Sequence, residues 1–189
     1  MVPKVVNHWL NGASVVESVN FNERPDPENI SLLVIHNISL PPGEFGGPHI
    51  DELFTNCLDP EAHPYFREIC ELEVSSHLLI RRDGALVQYV AFDQRAWHAG
   101  LSSFQGVKNC NDYAIGIELE GVDDSPYEAI QYDILVGTVA AILAAYPMVT
   151  RERIVGHSDI APGRKTDPGP AFDWDLFHRK LQNHLETTR

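Results

Sequence analysis

The chain is poor in cysteine: Cys57, Cys70 and Cys110 are odd in number and share no Cys-x-x-Cys spacing. This argues against both a disulfide framework and a thiolate zinc knuckle, and for idle thiols in a reducing compartment. Positive charge is also scarce, with 14 Lys and Arg against 27 Asp and Glu and a formal net charge of −13. Such a surface repels phosphate backbones and anionic lipid, so neither nucleic acid nor membrane is an expected partner, although a local Arg or Lys could still hold a small anionic substrate. The longest apolar stretch, around residues 134–146, is too short to span a bilayer. Residues 1–16 contain a single early Lys4 and no continuous apolar segment, because His8, Asn11 and Gly12 interrupt it. That pattern argues against a secretory signal and for a cytoplasmic location. Internal repeats and low-complexity tracts are missing.

What is present suffices for one core: 189 residues at 43% hydrophobic content predict a single domain over 1–189. The apolar run Ser31 to Ile35 reads as a central buried strand ending at His36, and Pro41 to Pro48 as a loop beside that end. Ile50, Leu53, Phe54 and Cys57 are spaced for one face of a short helix. Val74 to Ile80 and Ala85 to Val90 flank Asp83-Gly84, a hairpin turn signal. In the strand Ala114 to Leu119, Ile115, Ile117 and Leu119 share one face, and Ala114, Gly116, Glu118 and Glu120 the other. Ser125-Pro126 should cap a long helix from Tyr127 to Tyr146, and Asp173 a last helix, about 173–186, with the stripe Leu176, Phe177, Leu181 and Leu185. The interleaving predicts an α/β (mixed α+β) class, with a central mixed β-sheet flanked by α-helices.

The segment from Gly156 to Gly169 crowds His157, Lys165 and Asp167 among Pro162, Gly163, Pro168 and Gly169, and so looks built for a site rather than a connector. With His36 at a strand end, two imidazoles and one carboxylate make the three protein ligands of a catalytic zinc site, leaving a fourth position for water. Taken alone, His36 is better read as a satisfied structural histidine, and the same caution covers His157. Glu118, beside small Ala114 and Gly116, is the candidate general base, and an exposed strand face is its bland alternative. Lys165 stands two residues from Asp167, close enough to stabilise an oxyanion or simply to be a solvated lysine. Trp97-His98 suits a groove wall, although such a Trp is more often simply core. His77 is expected to be buried and hydrogen-bonded, and His8, His49, His63, His178 and His184 to be surface or structural.

Five ordered motifs resemble a known family. They are the run from Leu33 through His36 and Asn37 to Gly47, Val74 to Gly84, Arg95 to Gly100, Ile115 to Gly121, and Gly156-His157 with Arg164 to Pro170. The family is that of the zinc amidases related to peptidoglycan-recognition proteins and phage T7-type lysozyme, and the resemblance runs from about Arg24 to Trp174. It implies Zn2+ held by His36, His157 and Asp167, with Glu118 as general base and Lys165 as transition-state stabiliser. Many relatives use Cys as third ligand; here no Cys follows Cys110, so Asp is the available version. Asn37, Tyr65, Trp97 and Arg164 become expected substrate contacts. The insertion from Pro41 to Gly47 points to a branch acting on 1,6-anhydro-muropeptides in peptidoglycan recycling, hence to a monomer with a small-molecule substrate and an indirect effect on β-lactamase induction.

Overall fold

Leu32 to Ile35 are without exposed surface, and the strand they begin does not stop at His36 but runs on to Ile38. The reason is the partner strand, which pairs with it residue for residue to the end. The computed structural model describes residues 3–188; Met1, Val2 and Arg189, the ends of the domain read from the sequence, lie outside the described residues. Six strands, β1 (Ser14–Val15), β2 (Leu32–Ile38), β3 (Leu78–Ile80), β4 (Leu86–Gln88), β5 (Ala114–Glu120) and β6 (Ile154–Gly156), form one sheet in the order β6-β2-β5-β3-β4-β1. All neighbours are parallel except β3 and β4, which form the antiparallel hairpin about Gly84, whose φ of +86° suits glycine.

Among the described residues five α-helices accompany the sheet: α1 (His49–Phe54), α2 (Phe66–Ile69), α3 (Ala129–Ala145), α4 (His157–Ile160) and α5 (Trp174–Thr187). One sheet face, with Leu33, Ile35, Ile115, Ile117 and Leu119, packs on Leu135, Val139 and Ile142 of α3 and on Phe177 and Leu181 of α5. The opposite face buries Leu32, Val34 and Ala114 under Ala99, Cys110, Tyr113 and Ile160, while Leu79 and Val87 meet Ile50, Leu53, Phe54 and Phe66. Both faces of β2 and β5 are therefore covered, as near-continuous apolar parallel strands require. The expected mixed α/β domain is found.

Three local readings need correction. α1 ends at Phe54, so Cys57 leaves the helical face and is exposed. α3 starts two residues later than Tyr127, and its first turn is held by Gln131 rather than by Ser125-Pro126. Gln131 Oε1 accepts the Glu128 N–H at 3.0 Å while Nε2 donates to Ile80 O and Glu120 O, which ties the helix start to the sheet. Tyr127 is kept out of the helix because its hydroxyl donates to Pro168 O at 2.8 Å. The last helix does open as expected, with Asp173 Oδ1 accepting from Leu176 N–H at 2.8 Å.

Gly169 carries φ +80°, and a Cβ there would lie 2.2 Å from Asp123 Cα; Gly163 has φ +77° with open space around it. Gly163→Ala should therefore cost only backbone strain, about 1 kcal/mol, and Gly169→Ala at least about twice as much. Urea unfolding of the two variants checks the order, and equal losses would show that the loop yields to the clash.

Candidate active site and metal centre

The C-terminal ends of three adjacent parallel strands meet at one place, the position where open α/β sheets bind ligands. In the β2–β5 register His36 stands opposite Glu118, and in the β2–β6 register Gly156 stands opposite Ile35. His157, the next residue, therefore arrives beside His36. Asp167 is brought back to them by the Pro/Gly loop, whose backbone is fastened by Ser158 N–H donating to Asp167 O at 3.0 Å.

His36 Nδ1, His157 Nδ1 and Asp167 Oδ2 form a triangle with sides of 2.9, 3.0 and 3.1 Å, and all three residues are buried. A tetrahedral ion bound at ordinary zinc distances needs donor atoms roughly 3.3 Å apart, so this N, N, O set fits a divalent metal and leaves one position open. The cluster could hold a metal ion. His157 Nε2 lies 3.2 Å from Ala99 O, an acceptor that could take the ring proton and leave the Nδ1 lone pair for a bound metal.

Burial is the largest influence on Asp167 and pushes its pKa upward. The hydrogen bonds from His157 and His36 outweigh it and hold the carboxyl well below its usual range. His36 is pushed down to about 4, chiefly by burial, so in the metal-free site its ring is neutral beside Asp167 and carries one proton, on Nδ1 toward Asp167 or on Nε2 toward His98. Glu118 moves the other way. Burial, then the Asp167 charge, raises its pKa well above the ordinary carboxylate value, while Lys165 lowers it. Its Oε2 is buried without a hydrogen-bond partner among the described residues.

These groups line a cavity of about 380 Å³ together with Lys165, Asn37, Tyr65 and Trp97. An apolar wall comes from Leu40, Leu53, Phe54, Ile69, Leu72 and Val74. Lys165 is exposed, whereas Glu118 is 8% exposed, which removes the reading of its face as a solvated one. Glu120 on the same face is buried too. It accepts the Gly46 N–H at 2.6 Å and the Arg82 N–H at 3.0 Å, and so anchors the Pro/Gly loop after β2. Asn37 donates to Asp123 Oδ1 at 2.8 Å and to Pro168 O at 3.2 Å, tying β2 to the loop that carries Asp167. Trp97 Nε1 donates to Asn22 Oδ1 at 2.7 Å.

Arg164 is not brought to this cavity. Its guanidinium donates to Ala99 O at 2.7 Å and to Leu101 O at 2.8 Å, and lies 3.4 Å from His157 Nε2. His77 is buried as expected: its Nδ1 accepts Gly116 N–H at 3.0 Å, which leaves the proton on Nε2, 3.1 Å from Gln94 O. Two contacts near the ligands were not foreseen, although His98 was read as part of a groove wall and does line the cavity. His98 Nδ1 lies 2.9 Å from His36 Nε2, and Asn111 Oδ1 accepts the backbone N–H of both His98 and Ala99. The Trp97-His98 pair marked this segment in the sequence; nothing there marked Asn111.

Residues 26–170 match the family described as N-acetylmuramoyl-L-alanine amidase. The chain is 58% identical over 175 residues to the 1,6-anhydro-N-acetylmuramyl-L-alanine amidase AmpD of Enterobacter cloacae, covering 93% of each chain. Its fold matches the crystal structure of a Se-Met AmpD derivative with a TM-score of 0.91 at 56% identity, over 94% of this chain and 98% of the other. A more distant match is the Escherichia coli amidase AmiD in complex with anhydro-N-acetylmuramic acid-L-Ala-D-γ-Glu-L-Lys, at TM-score 0.59 and 32% identity, over 80% of this chain and 57% of that one.

Burial lowers the pKa of His36 to about 4 and those of His77 and His98 well below the ordinary value. Unfolding returns them to about 6.5, so below that pH the unfolded chain binds more protons and stability is lost on acidification, for His36 down to about pH 4. Glu118, with a raised pKa, opposes this, gaining stability as pH falls toward its unfolded value, but it is one group against three. The thermal midpoint of chelator-treated protein should therefore fall between pH 6.5 and 4. A flat profile would mean that these imidazoles are not held neutral by burial.

Proposed function

Because the chain belongs to the N-acetylmuramoyl-L-alanine amidase family, we propose that it hydrolyses the amide between the lactyl group of 1,6-anhydro-N-acetylmuramic acid and L-alanine in recycled muropeptides, and that it does so with zinc. The observation that carries this reading is the convergence of His36, His157 and Asp167 beside the unpartnered carboxyl of Glu118 in one cavity. The substrate class is supported by the anhydro-muropeptide held by AmiD.

His36 Nδ1, His157 Nδ1 and Asp167 Oδ2 would hold Zn2+. When bound, the ion supplies Lewis acidity toward the scissile carbonyl and lowers the pKa of a water to about 7. Glu118 accepts the proton of the attacking water. Its raised pKa makes it a stronger base than an ordinary carboxylate, and its burial keeps that proton from bulk solvent until the leaving nitrogen of L-alanine takes it. Lys165, at the exposed rim, offers its ammonium to the carbonyl oxygen as that atom gains charge. The bond broken is the amide C–N; the products are the lactyl carboxylate and a free stem peptide.

Tyr65 and Trp97 provide flat walls for the sugar and peptide. Asn37 orients the loop bearing Asp167 as well as facing the cavity. On this reading the protein works as a monomer in the cytoplasm, in peptidoglycan recycling. Its effect on β-lactamase induction is indirect, through the muropeptide pool of bacteria that carry that circuit.

Mass spectrometry of an anhydro-muropeptide incubated with the protein should reveal free stem peptide whose release stops on chelation and returns with zinc. Intact substrate from zinc-loaded protein would overturn the reading. Asp167→Ala should lose zinc, whereas Glu118→Ala should keep it and lose turnover by roughly 10²-fold or more. Zinc content measured beside kcat separates the two, and an active Glu118→Ala would move the base elsewhere.

A further inference from the structure

The segment Trp97-His98-Ala99 reaches both candidate ligand imidazoles from behind. His98 Nδ1 is 2.9 Å from His36 Nε2, and Ala99 O is 3.2 Å from His157 Nε2. Both backbone N–H groups of this pair donate to a single atom, Asn111 Oδ1, at 3.1 and 2.8 Å, and Asn111 is itself buried. The His98 ring has little freedom. A Cβ on Gly116 would lie 2.6 Å from its Cγ, and the His77 ring meets it edge-on at 5.7 Å between centroids. Its other nitrogen, Nε2, is buried without a partner among the described residues, so the one hydrogen bond the ring makes is the one to His36.

An imidazole that binds a metal through Nδ1 must carry its proton on Nε2, and the acceptor of that proton sets both tautomer and ring angle. We propose that His98 is a positioning residue: its Nδ1 accepts the Nε2–H of His36 and so holds the His36 Nδ1 lone pair toward His157 and Asp167. His98 is thus to His36 what the Ala99 carbonyl is to His157, and Asn111 sets the two acceptors at once. Gly116 is required on β5 because any side chain there would take the space of the ring. The inference rests on the zinc reading of the site.

The test separates the ring's shape from its nitrogen. His98→Phe keeps a ring in the slot and removes the acceptor; His98→Asn removes the ring and keeps an oxygen near the place of Nδ1. Zinc affinity, measured by competition with a chromophoric chelator, should fall by about 10- to 100-fold in His98→Phe and stay within a few fold of the parent in His98→Asn. Parent-like affinity in His98→Phe, or equal losses in both variants, would overturn the proposal. If His98→Phe does not fold, nitrogen-15 spectra of the zinc-loaded parent decide: a proton on His98 Nε2 supports the proposal and a proton on Nδ1 overturns it. A parent protein that binds no zinc removes the proposed function itself, which is a different failure.

Discussion

The parallel pairing of β2 with β5 and β6 is the constraint on which the rest depends. Its register sets Glu118 against His36 and delivers His157 one residue past the Gly156–Ile35 step, so three strands contribute one chemical group each at their C-terminal ends. A slip of one residue along either pair would turn the corresponding side chain to the α3 face. That face is closed by Leu135, Val139 and Ile142, which would leave a charge or an imidazole unpaired in hydrocarbon. The apolar residues of β2 and β5 therefore do more than fill the core. They fix the position of the polar residues between them.

Burying polar groups in this way is costly, and the structure meets the cost differently at each. Asp167 is stabilised as a carboxylate by hydrogen bonds from two imidazoles, and the oxygens of Glu120 accept two backbone N–H groups. Glu118 has burial and the Asp167 charge against it. Two carboxyl groups within one cavity thus diverge, one held ionised and suited to a cation, the other pushed toward holding a proton. On the proposed reading, that divergence lets one carboxyl serve as ligand and the other as base. The supporting polar network, Asn37 on Pro168 and Asn111 on the His98-Ala99 backbone, is buried or half-buried and has defined partners. Such networks hold a site to a fraction of an ångström because each member has a single arrangement that satisfies it.

Much of the fold was legible because its signals are local. The apolar runs of β2 and β5, the Asp83-Gly84 turn and the Asp173 cap each depend on a few adjacent residues. Where a reading went astray, a distant partner had intervened. α3 begins late because Tyr127 is held by Pro168 and Gln131 by the backbone of β3 and β5. β2 runs past His36 because β5 continues beside it. The guanidinium of Arg164 is likewise held by the carbonyls of Ala99 and Leu101, more than sixty residues away.

The amino-acid sequence by itself determined which chemistries are present: two histidines and an aspartate at strand and loop ends, a carboxylate on a strand of small neighbours, and cysteines without the Cys-x-x-Cys spacing of a thiolate knuckle. It also determined the alternation that puts Glu118 and Ile117 on opposite faces, because a strand's period of two is a property of the backbone. Only the tertiary structure decided that His36 and His157, 121 residues apart in the chain, stand 2.9 Å from one another, and that His98 stands behind one of them. The physical reason is that strand order and register are chosen by the summed burial of whole faces, a quantity spread over the entire chain.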